Sequence, residues 1–332
     1  MQKNERLKVF YEGAAIIGAV EDKKPDGIDV EKHLNNLTRT KDVFTVKISG
    51  VRKDAVTVNL FGEYMGIIPD QQVSTRQYIK NSLEELINQT IQVCCTGYDT
   101  KTKTATLSRT LAIKKLRKDF LAEILPKLDE INKDGINYKK YATKFEESND
   151  PFLGKYPIVK AKVVNYIKKD GRIIVIVNVA GVDILGNMEL SMFDYKYIYN
   201  PEEYLETYMK PNTVIDVALL AYYDNAKEGN QNRFVVSRRF ALPNPWIGIE
   251  KKVKVNDIIV VKALQKRETH FFAEYDNFAL DIKCKYPNKP KKVSENELYG
   301  RRIVTEGNLY KVKVTAVSEK DKLLLAEYQS EV

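Results

Sequence analysis

Cysteine and histidine are nearly absent from this chain, with three and two among 332 residues. Cys94 and Cys95 are adjacent on a segment with strand character, so their side chains should point to opposite faces, and Cys284 stands apart. A disulfide framework and a zinc knuckle are therefore excluded, and no metal is expected. His33 and His270 lie beside no nucleophile motif, and there is no glycine-rich phosphate loop, paired metal-carboxylate motif or nucleophile elbow. The reading is of a chain that is not an enzyme and takes no cofactor. No apolar run approaches the roughly 18 residues of a membrane span, and residues 1–6 are polar, without the apolar core of a signal peptide. A cytoplasmic protein without a membrane partner is expected.

What is abundant points to a polyanion. Lysine and arginine outnumber aspartate and glutamate by 54 to 45, a formal net charge of +9, which favours a nucleic acid over an acidic surface. Tyrosine occurs 20 times and phenylalanine 12 times, against one tryptophan. Aromatic rings stack on unpaired bases, although the same residues also fill strands.

Alternation of apolar and polar residues defines one pattern written three times. Residues 43–48, 55–60 and 64–69 read as three strands, and 90–96 and 105–108 as two more. Between them, Ser74 with Gln77 and Ser82 with Glu85 form capping boxes that predict a short helix. The order returns with strands at 158–166, 172–179 and 183–190, then a helix start at Asn200, Pro201 and Glu203, then strands at 214–222 and 233–237. A third copy has strands at 258–263, 270–275, 278–284, 310–316 and 323–328, with Ser294 and Glu297 as its capping box. Leu111, Leu116, Phe120, Leu121, Ile124 and Leu128 recur at helical spacing between the first two copies, with Pro126 expected to kink or end that helix early and residues 139–150 to form an exposed loop. Residues 9–11 and 14–20 read as a hairpin or a helix packed on the first unit, ended by a turn at Pro25, Asp26 and Gly27.

Five strands with a helix after the third describe an oligonucleotide-binding barrel. The fold class is mainly β: tandem five-stranded barrels with a helical connector. The divisions are an extension at 1–40, barrel one at 41–113, connector and loop at 114–155, barrel two at 156–242 and a divergent barrel three at 253–332. The run from Gly62 to Pro69 followed by Gln71, Gln72, Val73 and Ser74, with the later Leu107, Ser108 and Arg109, resembles the RNA-binding repeats of the large bacterial ribosomal protein S-one family. The likeness is strongest over 41–113, weaker over 156–241 and faintest over 253–328. Ile67 stands where the family has an aromatic, Asp54 and Ala55 where it has paired glycines, and Gly186, Asn187 and Met188 lack the following proline.

The resemblance implies RNA binding through cations and rings on the second and third strands and nearby loops. In copy one the candidates are Lys47, Arg52, Lys53, Tyr64 and Arg109; in copy two Tyr166, Lys168, Lys169, Arg172 and Arg238, with Arg239 beside it; in copy three Lys266, Arg267, His270, Phe271 and Phe272. Strand alternation requires at least one of the two phenylalanines to face the core. The partner expected is single-stranded RNA, with a ribosome or other protein as a further partner. Single-stranded DNA is the first alternative, since the 2′-hydroxyl contacts that separate the two polymers are not legible in a sequence. A protein-interaction scaffold that has lost nucleic-acid binding is the second.

Overall fold

Residues 27, 29–73, 86–132, 156–169, 171–196, 198–224, 232–275, 280–286 and 303–332 are described in a computed structural model of the chain. The N-terminal pattern at 9–20, both capping boxes at 74–85, the loop at 139–150 and the third capping box at Ser294 lie outside the described residues.

Three closed five-stranded barrels follow one another. Barrel one is β1 (Val43–Arg52), β2 (Ala55–Leu60), β3 (Tyr64–Pro69), β4 (Thr90–Asp99) and β5 (Thr104–Ser108), closed in the order β1-β2-β3-β5-β4. Barrel two uses β6 (Ile158–Lys169), β7 (Arg172–Val179), β8 (Ile184–Glu189), β9 (Val214–Tyr223) and β10 (Arg233–Ser237) in the equivalent order. Barrel three repeats it with β11 (Ile258–Lys266), β12 (His270–Tyr275), β13 (Leu280–Lys285), β14 (Leu309–Ser318) and β15 (Leu323–Glu331). In each, the third and fifth strands pair in parallel and the other pairs are antiparallel. This is the connectivity of the oligonucleotide-binding fold.

The copies share their irregularities as well as their order. The first strand skips a residue against the second between Ile48 and Gly50, between Val163 and Asn165, and between Ala263 and Gln265. The fourth strand skips one against the fifth between Cys95 and Gly97, between Leu219 and Ala221, and between Val314 and Ala316. An extra residue sharpens the bend of a strand, and six bends in equivalent places let short strands curl into closed walls.

The interior sets a volume limit. Gly66 on β3 faces Val58 on β2, and a Cβ added there would lie 2.5 Å from Val58 Cγ2 and 2.8 Å from Leu107 Cδ1. Gly186 stands in the same relation to Val177, where an added Cβ would lie 2.9 Å away. Barrel three holds Ile282 at this position but Ala273 across from it, both buried. Valine with glycine and alanine with isoleucine occupy the same space, which is why the glycine signature fades in the third copy.

Helices plug these barrels. α1 (Val30–Thr40) begins at Asp29, whose carboxylate accepts from the amides of Glu31 and Lys32, and buries Val30, Leu34 and Leu37 in the first core. Its Glu31 meets Lys103 of the β4–β5 turn at 2.9 Å, and that contact with the Tyr64 hydroxyl holds the carboxyl below its usual range. α2 (Arg109–Asn132) starts on barrel one with Ala112 and Ile113 buried, then carries Phe120, Ile124 and Leu128 into the core of barrel two. It runs six residues past Pro126, so the expected early stop does not occur; Ile124 and Leu128, anchored either side of the proline, hold the helix through it. α3 (Pro201–Tyr208) lies between β8 and β9 and has the expected start, with Pro201 in its first turn and the Asn200 side chain accepting from the Glu203 amide. Trp246, Ile249 and Val253, around the short α4 (Ile249–Lys252), enter the third core.

Replacing Gly66 by alanine is expected to destabilise the protein by about 1–3 kcal/mol through overpacking. Adding Val58→Ala should cost less than the sum of the two single changes in urea unfolding, because the pair then approaches the Ala273 and Ile282 arrangement; strict additivity would contradict the shared-volume account.

Candidate nucleic-acid interface

Residues paired across neighbouring strands share a face, so the registers fix what each barrel shows outward. The central outward pair on the second and third strands is Thr57 with Ile67 in barrel one, Ile176 with Asn187 in barrel two and Phe272 with Lys283 in barrel three. Only the third pairs a ring with a cation. One step along, His270 pairs with Lys285, and Gln265 lies across from Phe272 on β11.

On this face Phe272 is half-buried and Lys283 and Lys285 are exposed. The His270 ring stands edge-on to Phe272 at 5.0 Å between centroids. Burial first, then Lys283 and Arg267, pull the imidazole pKa below its ordinary 6.5, so near neutrality the ring is uncharged. Barrel two reaches the same place through the segment after β8. Tyr195 is buried in the third core, Lys196 Nζ meets Glu274 Oε2 at 3.1 Å, and the Tyr199 ring lies 5.8 Å from that of Phe272.

The outer face of barrel one offers Thr57, Asn59, Met65 and Ile67, with Lys47, Arg52 and Lys53 exposed around it and the Arg52 guanidinium resting on the Met65 sulfur at 3.5 Å. In barrel two the β6–β7 hairpin exposes Tyr166, Lys168, Lys169 and Arg172. Lys168 is ion-paired with Glu202 of α3, and Arg172 with Glu189 at 3.5 Å. Both pairs are on the surface and weak enough for a phosphate to compete. Lys266 is half-buried and Arg267 exposed beside the β11–β12 turn.

Four candidates serve the fold instead. Tyr64 is 2% exposed, and its hydroxyl donates to Glu31 at 3.1 Å; it shares the inward side of β3 with Gly66 and Ile68. Phe271 is fully buried, the inward member of its phenylalanine pair. Arg109 is buried and donates to the Val73 carbonyl, while Arg238 donates to the Phe193 carbonyl at 3.4 Å and lies over the Phe193 ring. Val73 and Phe193 occupy equivalent places, each ending the single turn that follows the third strand. The preceding serines complete the device. Ser108 Oγ donates to Gln72 and accepts from the Leu111 amide, and Ser237 Oγ donates to the Met192 carbonyl and accepts from the Phe240 amide. The serine and arginine motif that closes both copies is thus a structural lock. Arg239 is likewise buried, 4% exposed.

Lys283, Lys285 and Tyr199 complete the face but were absent from the sequence-based candidates. Alternation along β13, with Ile282 and Cys284 inward, carried a signal for the two lysines. Nothing local connects Tyr199 to β12.

No family model matches the chain. No curated protein matches it either. Among solved structures, GSP13 from Bacillus subtilis is 24% identical over 21% of this chain and 54% of that one, so only about half of GSP13 is spanned, with a TM-score of 0.19. A multidomain protein with nucleic acid binding domains from Streptococcus pneumoniae is 10% identical over 87% of this chain and 73% of its own, at a TM-score of 0.17. Drosophila Unr CSD456 is 9% identical over 88% of this chain and 98% of its own, at 0.19. Likeness at this level transfers no function.

Among the described residues no helix is long and apolar enough to cross a membrane.

Arg109→Ala would leave the Val73 carbonyl without its charged donor, a loss of about 1.5–3 kcal/mol. A lowered urea midpoint with unchanged affinity for single-stranded RNA is expected; weakened binding at unchanged stability would return this arginine to the binding face.

Proposed function

We propose that the chain is a non-enzymatic single-stranded nucleic-acid-binding protein, with RNA as the preferred polymer and the outer face of barrel three as its principal contact. The observation that carries this reading is the Phe272 and Lys283 pair at the centre of that face, where the other two barrels present Thr57 with Ile67 and Ile176 with Asn187. A ring stacks on any unpaired base, and a neighbouring ammonium neutralises the phosphate beside it. Duplex would deny the ring its base face. The formal net charge of +9 supports association with a polyanion. Preference for RNA rests on the likeness of the first copy to the S-one repeats. Barrels one and two add exposed cations at Lys47, Arg52, Lys53 and Lys169, which extend the phosphate track and raise affinity by linkage.

Fluorescence anisotropy of a short single-stranded RNA and its matched DNA, titrated at several salt concentrations, tests the proposal. Affinity should fall as salt rises, and Lys283→Gln and Lys285→Gln should each reduce the slope of log K against log salt by about 0.7. Phe272→Ala should cost about 1–3 kcal/mol of binding. Equal affinity for the DNA would replace RNA by single strands of either kind. Salt-independent behaviour, or binding indifferent to Phe272, would overturn the assignment.

A further inference from the structure

The third barrel's face is finished by a residue from the second. Tyr199 comes from the segment between β8 and α3, and residues 194–196 of that segment are tied to both barrels. On the barrel-two side Asp194 accepts from the Tyr204 hydroxyl at 2.8 Å and pairs with Arg238 at 3.5 Å. On the barrel-three side the Tyr195 ring is buried among core residues and Lys196 holds Glu274. Tyr199 therefore stands beside Phe272 close to contacts made with both barrels. With centroids 5.8 Å apart and planes tilted by 41°, the two rings touch and form one surface with His270 at its margin.

A polar group sits at the edge of that surface. Gln265 is the residue directly across from Phe272 on β11, and its Oε1 is buried and accepts no hydrogen bond among the described residues. A buried acceptor without a donor is unfavourable, and a turn of the half-buried Gln265 side chain that brings this oxygen to a ligand N–H would remove that cost. Every nucleobase carries such a donor on its Watson–Crick edge.

We infer that Tyr199, Phe272 and Gln265 form a site for one unpaired nucleobase, built jointly by barrels two and three. The base lies on the ring surface, the Gln265 amide oxygen accepts from its edge, and the flanking phosphates run toward Lys283 and Lys285. The inference rests on the nucleic-acid reading above. It adds a recognition element that barrel three does not possess alone.

The test uses the full chain and a short single-stranded RNA carrying one 2-aminopurine, whose emission is quenched when it stacks. Binding is followed by anisotropy of an end label and stacking by 2-aminopurine emission. The unaltered protein should quench the probe. Tyr199→Leu should lose much of the quenching and bind about 5- to 100-fold more weakly, while Tyr199→Phe, which keeps the ring, should retain both. Gln265→Leu should weaken binding several-fold while quenching persists, since the rings remain. Salt-dependent binding without quenching, or quenching unchanged in Tyr199→Leu, would overturn the shared base site and leave the nucleic-acid reading intact. Absence of salt-dependent binding would remove both. Melting curves of each variant establish that the comparison is made on folded protein.

Discussion

A five-stranded barrel has room inside for a single filling of side chains, and in this protein that space is fully committed. The limit shows at Gly66 and Gly186, where even a methyl group would collide with a valine across the strand, and at Ala273 and Ile282, where the same volume is divided the other way. The helical segments finish the closure by driving Leu34, Ile124 and Ile249 into the three cores. Interiors so packed gain their stability from apolar burial and dispersion. Chemistry directed at a partner is left to the outward-facing alternate residues.

That division explains how the copies can share a framework and differ in their outward faces. The bends in the first and fourth strands recur in all three, and the serine and arginine lock recurs in barrels one and two, each arginine donating to the carbonyl that ends the turn after the third strand. The outward positions are under no such constraint. There the second strand carries threonine, isoleucine or phenylalanine at one equivalent site. The copy whose sequence most resembles an RNA-binding repeat presents no ring at this site, and the faintest copy presents one. A signature dominated by turn glycines and the strand-end lock reports the framework more than the face.

Strand alternation is a local property, and it made the five-strand order of each copy legible, along with the Asn200 cap and the long connector helix. α1 was missed although Asp29 and the spacing of Val30, Leu34 and Leu37 mark it, because the stronger apolar run at residues 14–20 drew the reading away. Tyr64 could have been recognised as internal, since period two places it with Gly66 and Ile68. Phe272 and His270 were legible as rings among cations. Their partners were not, because register decides that Lys283 and Gln265 flank Phe272, and register depends on bulges that no single strand announces. Tyr199 reaches the site through packing between domains, which lies further still from local pattern.

On the proposed reading, a single strand lies on barrel three with its contribution from barrel two. Ultraviolet crosslinking of the full chain to an unmodified single-stranded RNA, followed by mass-spectrometric mapping, locates the bound strand. Crosslinked nucleotides are expected on peptides containing Phe272 and Tyr199. Crosslinks confined to the outer strands of barrel one, around Met65 and Ile67, would contradict it.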